Sequence, residues 1–229
     1  MIEVKNIKKS FGKKEVLKDV SFKAHKGEIT CLIGVNGVGK TTILNAIMNL
    51  TPLDAGEILV DQKRVVKEMY NKITFIPDAL TMQGNMTVGD TFSFMKDFYE
   101  TWNEKRAEQL LHFFRIKEEE QINQLSKGNQ AKVNMLLGLA LDVDYILMDE
   151  PFSGIDIFSR EQITDVFLSH LVEDRGVIIT THEIYDIEHL IDHVIILDDG
   201  YIVQDFNAEM LREETGQSIT DVLREVYEG

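Results

Sequence analysis

A glycine-punctuated loop that ends in lysine and threonine is the most specific chemical signal in this sequence. The segment Gly34-Val-Asn-Gly-Val-Gly-Lys-Thr-Thr42 fits the pattern G-x-x-x-x-G-K-[ST]. Glycine lets successive backbone N–H groups curl around a phosphate, because no Cβ stands in the way. The ammonium group of Lys40 can reach the β- and γ-phosphates, and the hydroxyl group of Thr41 can bind Mg²⁺. The candidate nucleotide ligands in this loop are Gly34, Asn36, Gly37, Gly39, Lys40, Thr41 and Thr42.

The elements predicted on both sides of the loop are those that such a loop requires. An uninterrupted apolar run over residues 29–33 predicts a buried strand before it. Apolar residues at helical spacing come after it, and Thr51-Pro52 ends that pattern. The N-terminus of the predicted helix adds a partial positive charge beneath the phosphate. The alternative, a glycine-rich turn with an accidental lysine, does not explain this context.

Two carboxylates and one histidine end later apolar strands. The run Tyr145-Ile-Leu-Met precedes Asp149 and Glu150, and a strand predicted over residues 177–181 precedes His182. Asp149 would hold Mg²⁺, and Glu150 would orient an attacking water. An apolar strand does not need two terminal carboxylates for stability, and burying either without a cation is costly. The alternatives are a solvated strand end for the carboxylates and a structural role for His182, although open α/β sheets place ligand groups at strand ends.

Phe11 is a candidate for stacking on an adenine ring. It precedes Gly12 in a predicted loop between two short strands. Stacking on a flat aromatic face is chemically undemanding. The alternative is that the ring plugs the small sheet.

Composition limits the classes of partner. The chain has 229 residues with 24 basic and 39 acidic side chains, a net charge of −15, which disfavours nucleic acid and anionic membrane surfaces. Its longest uncharged stretch runs over residues 41–53, shorter than the roughly 20 residues of a spanning helix. The single cysteine, Cys31, falls in a predicted buried strand and is expected to serve core packing. These features predict a soluble, cytoplasmic protein.

The pattern of predicted elements changes twice along the chain. Strand signals occupy residues 2–5, 16–24, 56–60 and 72–76. Helical spacing replaces them from residue 78 to about residue 141, with helices expected over 90–100, 104–114 and 131–141. Strands then resume, including a hairpin of 194–197 with 201–203 that turns at Asp199-Gly200, and a final helix begins at Ser218. This pattern predicts a helical insertion between two halves of an α/β core.

These motifs, in this order, resemble those of the nucleotide-binding subunit of an ABC transporter over essentially the full chain. Leu125-Ser-Lys-Gly-Asn129, about 20 residues before Asp149, resembles the family signature Leu-Ser-Gly-Gly-Gln. The other correspondences are residues 34–42 with the Walker A loop, 145–149 with Walker B, Glu150 with the catalytic glutamate, 153–156 (ending in Asp156) with the D-loop, and His182 with the switch histidine.

The resemblance implies an α/β fold with three parts. A P-loop NTPase (RecA-like) core, with an N-terminal antiparallel β subdomain, is expected over residues 1–77 and 142–205. An inserted α-helical subdomain is expected over residues 78–141, and a short helical extension over residues 206–229.

The chain departs from the family pattern at two places. The family usually has glutamine after the Lys72-Ile-Thr-Phe-Ile-Pro strand, where this chain has Asp78. A carboxylate can still bind Mg²⁺, but it cannot donate a hydrogen bond when ionised, so the relay to a partner is expected to differ. In the signature, Lys127 replaces glycine and Asn129 replaces glutamine, whereas Ser126 and Gly128 are retained.

The mechanism that the resemblance implies is a dimer of two such subunits around two ATP–Mg²⁺. Each ATP would lie on one chain's Gly34–Thr42 loop and be capped by Ser126, Lys127 and Gly128 of the other. Glu150 would orient the water, while His182 and Lys40 would contact the γ-phosphate. A separate transmembrane permease subunit would dock on the insertion near Asp78 and hold the protein at the cytoplasmic face of the membrane. The short C-terminus and the strand end at Asp78 resemble exporter-type subunits of two-gene bacterial systems, with peptide or antimicrobial cargo as a guess.

Three other classes remain as alternatives. A soluble ABC ATPase acting on ribosomes, DNA or iron–sulfur assembly usually needs a second cassette or long coiled coils, and the acidic charge argues against nucleic acid. A degenerate ATP-binding module with little turnover is suggested by Asp78 and Lys127. A kinase or GTPase lacks a guanine-reading or phosphoacceptor signal here.

Overall fold

A single mixed sheet runs through the computed structural model, which describes residues 1–64, 67–168, 174–182, 184–185 and 187–228. The strands are β1 (Ile2–Phe11), β2 (Lys14–Ala24), β3 (Ile29–Ile33), β4 (Ala55–Val60), β5 (Lys63–Arg64), β6 (Ile73–Ile76), β7 (Tyr145–Asp149), β8 (Gly176–Thr181), β9 (His193–Asp198) and β10 (Tyr201–Asn207). The helices are α1 (Lys40–Ile47), α2 (Val88–Phe98), α3 (Glu104–Phe114), α4 (Lys127–Leu139), α5 (Ile157–Phe167), α6 (Ala208–Thr215) and α7 (Ile219–Glu228).

The sheet has a parallel half and an antiparallel half. Its strand order is β5-β4-β1-β2-β10-β9-β3-β8-β7-β6. Strands β9, β3, β8, β7 and β6 pair in parallel, while β2, β1, β4 and β5 pair in antiparallel fashion. Parallel strands end at the same edge of a sheet, so β3, β7 and β8 bring their carboxyl ends together, where open α/β sheets bind ligands.

Two apolar clusters cover the two faces of the sheet. Along β7, Ile146 and Met148 belong to one cluster and Tyr145 and Leu147 to the other, because successive strand residues point to opposite faces. The first cluster joins the sheet to α2, α3 and α4, and the second joins it to α1 and the antiparallel strands. Cys31 is fully buried in the first cluster, as expected for a packing residue, and burial raises the pKa of its thiol.

Two of the differences from the predicted boundaries concern residues of the candidate site. Strand β1 continues through Phe11, so the placement of this residue in a loop is wrong: its backbone pairs with Lys14 across a tight turn. Helix α4 begins at Lys127 rather than at residue 131, because Ser126 caps it by accepting a hydrogen bond from the N–H of Asn129 at 3.2 Å. No helix among the described residues is long and apolar enough to cross a membrane.

The half-buried carboxylate of Asp61 links the residue before β6 to the first residue of β7. Asp61 accepts hydrogen bonds from Lys72 at 2.8 Å and from the Tyr145 hydroxyl at 2.7 Å. Burial alone would raise the pKa of Asp61, but these bonds and that from the Met1 amino group outweigh it and hold the pKa well below its usual range. Because the folded state lowers this pKa, the charged form contributes stability above the unfolded pKa near 4, and that stability is lost as the pH falls below it.

We therefore expect Asp61→Asn to lower the free energy of unfolding by roughly 1–2 kcal/mol at neutral pH. The difference from the wild type should shrink as the pH falls below about 4, where the unfolded-state carboxyl protonates. Urea denaturation at several pH values measures this. Glu57→Gln, which removes an exposed pair with Arg64, is the matched control and should change stability little. A pH-independent difference at Asp61 would contradict the assignment.

Candidate active site

The loop between β3 and α1 is shaped for close approach of a ligand to its backbone. A Cβ on Gly34 would lie 2.7 Å from the carbonyl oxygen of Leu197, so only glycine fits there. Gly39 caps α1 with φ 117°, in the left-handed region that favours glycine, and no side chain caps the helix. The first N–H groups of α1 are thus left to an external acceptor, the arrangement that binds anions.

Lys40 lies beneath this loop. Its ammonium group donates to the carbonyl oxygen of Gly34 at 2.7 Å and lies 3.2 Å from Oε1 of Glu150. Only 5% of the side chain is exposed. A buried cation between a glycine loop and a carboxylate marks the point where phosphate charge can be neutralised.

Asp149 ends β7 and is held by two hydroxyl groups. Thr41 donates to its Oδ2 at 2.7 Å, and Thr180 donates to its Oδ1 at 2.6 Å. The carboxylate is buried, and within the described part of the chain it forms no ion pair. A buried carboxylate beside a threonine hydroxyl is an oxygen donor set that fits Mg²⁺.

The protein offers only part of a metal shell. Among the residues that the structure describes, no three His, Cys, Asp or Glu side chains are grouped to hold a metal ion by themselves. Thr41 and Asp149 are donors in mutual contact, and Asp78, also predicted as a metal ligand, lines the same cleft. The remaining positions are left to phosphate oxygens and water, as is usual for Mg²⁺ bound with a nucleotide. Thr180 was not assigned a role from the sequence. It stands opposite Asp149 in the parallel register of β7 and β8, which the sequence alone does not give.

Glu150 is turned back toward the loop by an unusual backbone conformation. Its φ is 45°, in the left-handed region, and its N–H donates to the carbonyl oxygen of Thr180 at 3.1 Å and to the hydroxyl oxygen of that residue at 3.0 Å. The backbone therefore bends directly after β7. The carboxylate contacts Lys40 on one side and, at 2.8 Å, Nδ1 of His182 on the other.

These elements surround one cleft of about 490 Å³. Phe11, with 53% of its surface exposed, stands at the cleft, and so does Asp78, which comes just after β6. Lys14 and Val16 also line the cleft and were not predicted. Their side chains face it only because of the tight turn after Phe11, which the sequence pattern did not locate. The full lining is Phe11, Lys14, Val16, Asn36, Gly37, Gly39, Lys40, Thr41, Thr42, Asp78, Asp149 and Glu150. A larger cleft beside β1 and β2, of about 620 Å³, contains neither the loop nor the carboxylate pair.

The signature residues do not line this cleft. Ser126, Lys127 and Gly128, which we call the signature turn, form the cap and first turn of α4. Asp156 caps α5, accepting a hydrogen bond from the N–H of Ser159 at 3.0 Å. The structure thus brings together most of the predicted phosphate, metal and water-activating residues. Gly34 and His182 line a neighbouring cleft and contact this one through Lys40 and Glu150. The signature turn and Asp156 lie outside it.

Comparisons with known proteins agree with this geometry. The family model described as ABC transporter matches residues 17–153. The petrobactin import ATP-binding protein YclP of Bacillus subtilis is 31% identical over the whole of this chain and 93% of its own length. The linearmycin resistance ATP-binding protein LnrL of Bacillus subtilis is 31% identical over 89% of this chain and 68% of its own. A dimeric structure of MJ0796, a bacterial ABC transporter cassette, superimposes with a TM-score of 0.80 at 25% identity, covering 90% of this chain and 98% of that one.

Proposed function

The chain belongs to the ABC transporter family as an ATP-binding, ATP-hydrolysing subunit, and from this we propose that two copies, or this chain and a homologue, close around two ATP–Mg²⁺ to drive a separate membrane subunit. One observation carries the proposal. A single cleft collects the phosphate loop, the buried Asp149 and the doubly contacted Glu150, whereas the signature turn lies outside it. A second chain is needed to place a signature turn over the same phosphates.

Binding of ATP is assigned to the cleft of one chain. The N–H groups of the loop and of the first turn of α1 would donate to the phosphates, and Lys40 would neutralise part of their charge. Thr41 and Asp149 would hold Mg²⁺, which supplies charge neutralisation on the phosphate oxygens when bound. Phe11 would stack on the adenine ring, for which its exposed face beside the cleft is suited.

Hydrolysis is assigned to Glu150 and His182. A carboxylate that already contacts Lys40 and His182 is held in one orientation, and so could orient a water toward the γ-phosphate. His182, hydrogen-bonded to that carboxylate, would contact the same phosphate. Phosphoryl transfer depends chiefly on positioning and on charge neutralisation, which is what these residues offer.

Closure of two chains is assigned to the signature turn. The N-terminus of α4 carries a partial positive charge, and Lys127 adds a full charge on the exposed surface beside it. Two helix N-termini, α1 of one chain and α4 of the other, would therefore attract the same triphosphate. Loss of the γ-phosphate weakens this attraction, which would let the two chains separate.

A membrane partner is part of the proposed role, because the chain belongs to the ABC transporter family. We assign the partner's docking site to the helical region near Asp78, where Asn134 of α4 donates to the carbonyl oxygen of Pro77 at 2.7 Å and so links the cleft to α4. The protein would then be peripheral on the cytoplasmic face of the membrane. Affinity purification from detergent-solubilised membranes should recover a multi-helix membrane protein in stoichiometric amount. Recovery of ribosomes or DNA would instead indicate a non-transport ATPase.

We propose export as the direction of transport. The resemblance to exporter-type subunits supports it, as does the linearmycin resistance relative. Import is a second candidate, because the petrobactin relative is equally identical and covers more of this chain. Inside-out membrane vesicles that contain the complete transporter distinguish the two: export predicts ATP-dependent accumulation in the vesicle lumen, and import predicts ATP-dependent release.

Asp78 provides a test of coupling. We expect Asp78→Gln to leave ATP affinity within about twofold of the wild type, because this exposed side chain is one of many cleft contacts. Turnover stimulated by the membrane partner should change by at least about fivefold, because glutamine both donates and accepts hydrogen bonds whereas an ionised aspartate only accepts. ATPase rates with and without the partner measure the effect. Identical stimulated rates would show that Asp78 is a passive substitute.

A further inference from the structure

The first turn of α4 is pressed against the first turn of α5. A Cβ built on Gly128 would overlap the hydroxyl oxygen of Ser159, and it would lie 2.7 Å from Oδ2 of Asp156 and 3.0 Å from Cβ of Ser159. Real Cβ atoms do not approach other atoms this closely in a packed interior. Both Gly128 and Ser159 are buried, and Ser159 is only 4% exposed.

The backbone of Gly128 does not itself require glycine. Its φ is not among the positive values of the chain, unlike that of Gly39 in the phosphate loop. Alanine would normally be the better residue inside a helix, since glycine has the lower helix propensity. The demand for glycine at this position therefore comes from the space around it.

Ser159 is fixed in the position that fills this space. Its N–H donates to Oδ1 of Asp156 at 3.0 Å, and its hydroxyl donates to Oδ2 at 2.7 Å. One turn further along the same face of α4, Lys132 is 7% exposed, and the charge of Asp156 partly offsets the burial that lowers the pKa of this lysine. The first turns of α4 and α5 are therefore held together both by packing and by the attraction between Lys132 and Asp156.

We propose that Ser159 is a positioning residue for the signature turn: its side chain occupies the space that a Cβ at position 128 would need, so that the turn is seated by its own chain. The packing of Ser159 therefore requires glycine at position 128 within one chain, independently of any contact between Gly128 and a nucleotide bound to a second chain. The consequence for ATP-driven closure rests on the proposed function, whereas the packing claim does not.

Thermal unfolding of the monomer tests the packing claim alone. We expect Gly128→Ala to lower the Tm in the wild-type background and to lower it clearly less when combined with Ser159→Gly, which removes the closest contacts and frees the Asp156 carboxylate from the hydroxyl group that holds it near the same position. Ser159→Ala, which removes the hydroxyl and keeps the Cβ, should relieve the loss only in part. Gly138→Ala is the matched control, because Gly138 lies in the same helix but packs on Ile76, and Ser159→Gly should not relieve its effect. A Gly128→Ala effect that is the same with and without Ser159→Gly overturns the proposal.

ATP-driven dimerisation, measured by light scattering in a Glu150→Gln background, tests the consequence. Gly128→Ala should raise the ATP concentration for half-dimerisation by about tenfold or more, and Ser159→Gly should restore most of this loss. If Glu150→Gln alone does not dimerise, the proposed function fails, and the unfolding measurements still decide the packing claim. If Gly128→Ala dimerises normally, or Ser159→Gly restores stability but not dimerisation, the positioning role is overturned.

Discussion

In the Glu150→Gln variant, ATP turnover should fall by at least about 100-fold while ATP remains bound, and the protein should accumulate as an ATP-loaded dimer. Glutamine keeps the shape of the side chain but removes the negative charge that would orient and polarise a water. The phosphate loop, Lys40 and the two ligands proposed for Mg²⁺ are unchanged by this substitution, so ATP should still be gripped. Without hydrolysis, the attraction of both helix N-termini for the triphosphate persists.

Phosphate release and size-exclusion chromatography with light scattering, in ATP and Mg²⁺, measure the two effects. Glu161→Gln makes the same change of charge at an exposed position on α5 and is the matched control. Turnover of Glu150→Gln near the wild-type rate would remove Glu150 from the catalytic step. Loss of turnover without any dimer, even with the membrane partner present, would refute the closure of two chains.

Replacement of Lys40 by alanine should weaken the affinity for ATP by at least about 100-fold relative to the wild type. The ammonium group is buried between the carbonyl oxygen of Gly34 and the carboxylate of Glu150. Its removal takes away a charge-assisted contact to the phosphates and leaves Glu150 facing them without its cation. Repulsion between that carboxylate and the phosphates adds to the loss.

Isothermal titration calorimetry and the rise in Tm caused by ATP both measure this affinity. Lys13→Ala, which removes an exposed lysine outside the cleft, is the control. Lys40→Met keeps the aliphatic length without the charge, and it should behave like Lys40→Ala if charge is what matters. Binding within about threefold of the wild type in both variants would contradict the phosphate-binding role of this loop.

The phosphate loop and the carboxylate pair were predictable because each is encoded in a short contiguous segment. The run before Gly34 and the run before Asp149 are both uninterrupted apolar strands, and chain order alone puts the loop and the carboxylates at the ends of these strands. The α/β fold of the family is confirmed by the structural likeness. The division of the chain into three parts, and the roles of the site residues, stay predictions.

Features that depend on pairing between distant segments were not predictable. Thr180 holds Asp149 only because β7 and β8 pair in one register, and no local pattern reports that register.

Helix α5 was missed because the spacing of its apolar residues is misleading: Ile157 and Phe158 are exposed, at 71% and 78%, while the polar Ser159 is buried. The early start of α4 was missed because Lys-Gly-Asn is a weak helix-forming sequence whose only strong signal is the capping serine.

The left-handed backbone at Glu150 has a consequence for how this protein can be improved. A non-glycine residue with φ near 45° costs free energy, on the order of 1 kcal/mol, which glycine or asparagine would largely avoid. Selection for heat resistance alone would therefore favour replacing the side chain to which we assign the orientation of the attacking water. Thermostabilised versions of this subunit should be screened for turnover at every round, since stability and the proposed catalytic role favour different residues at position 150.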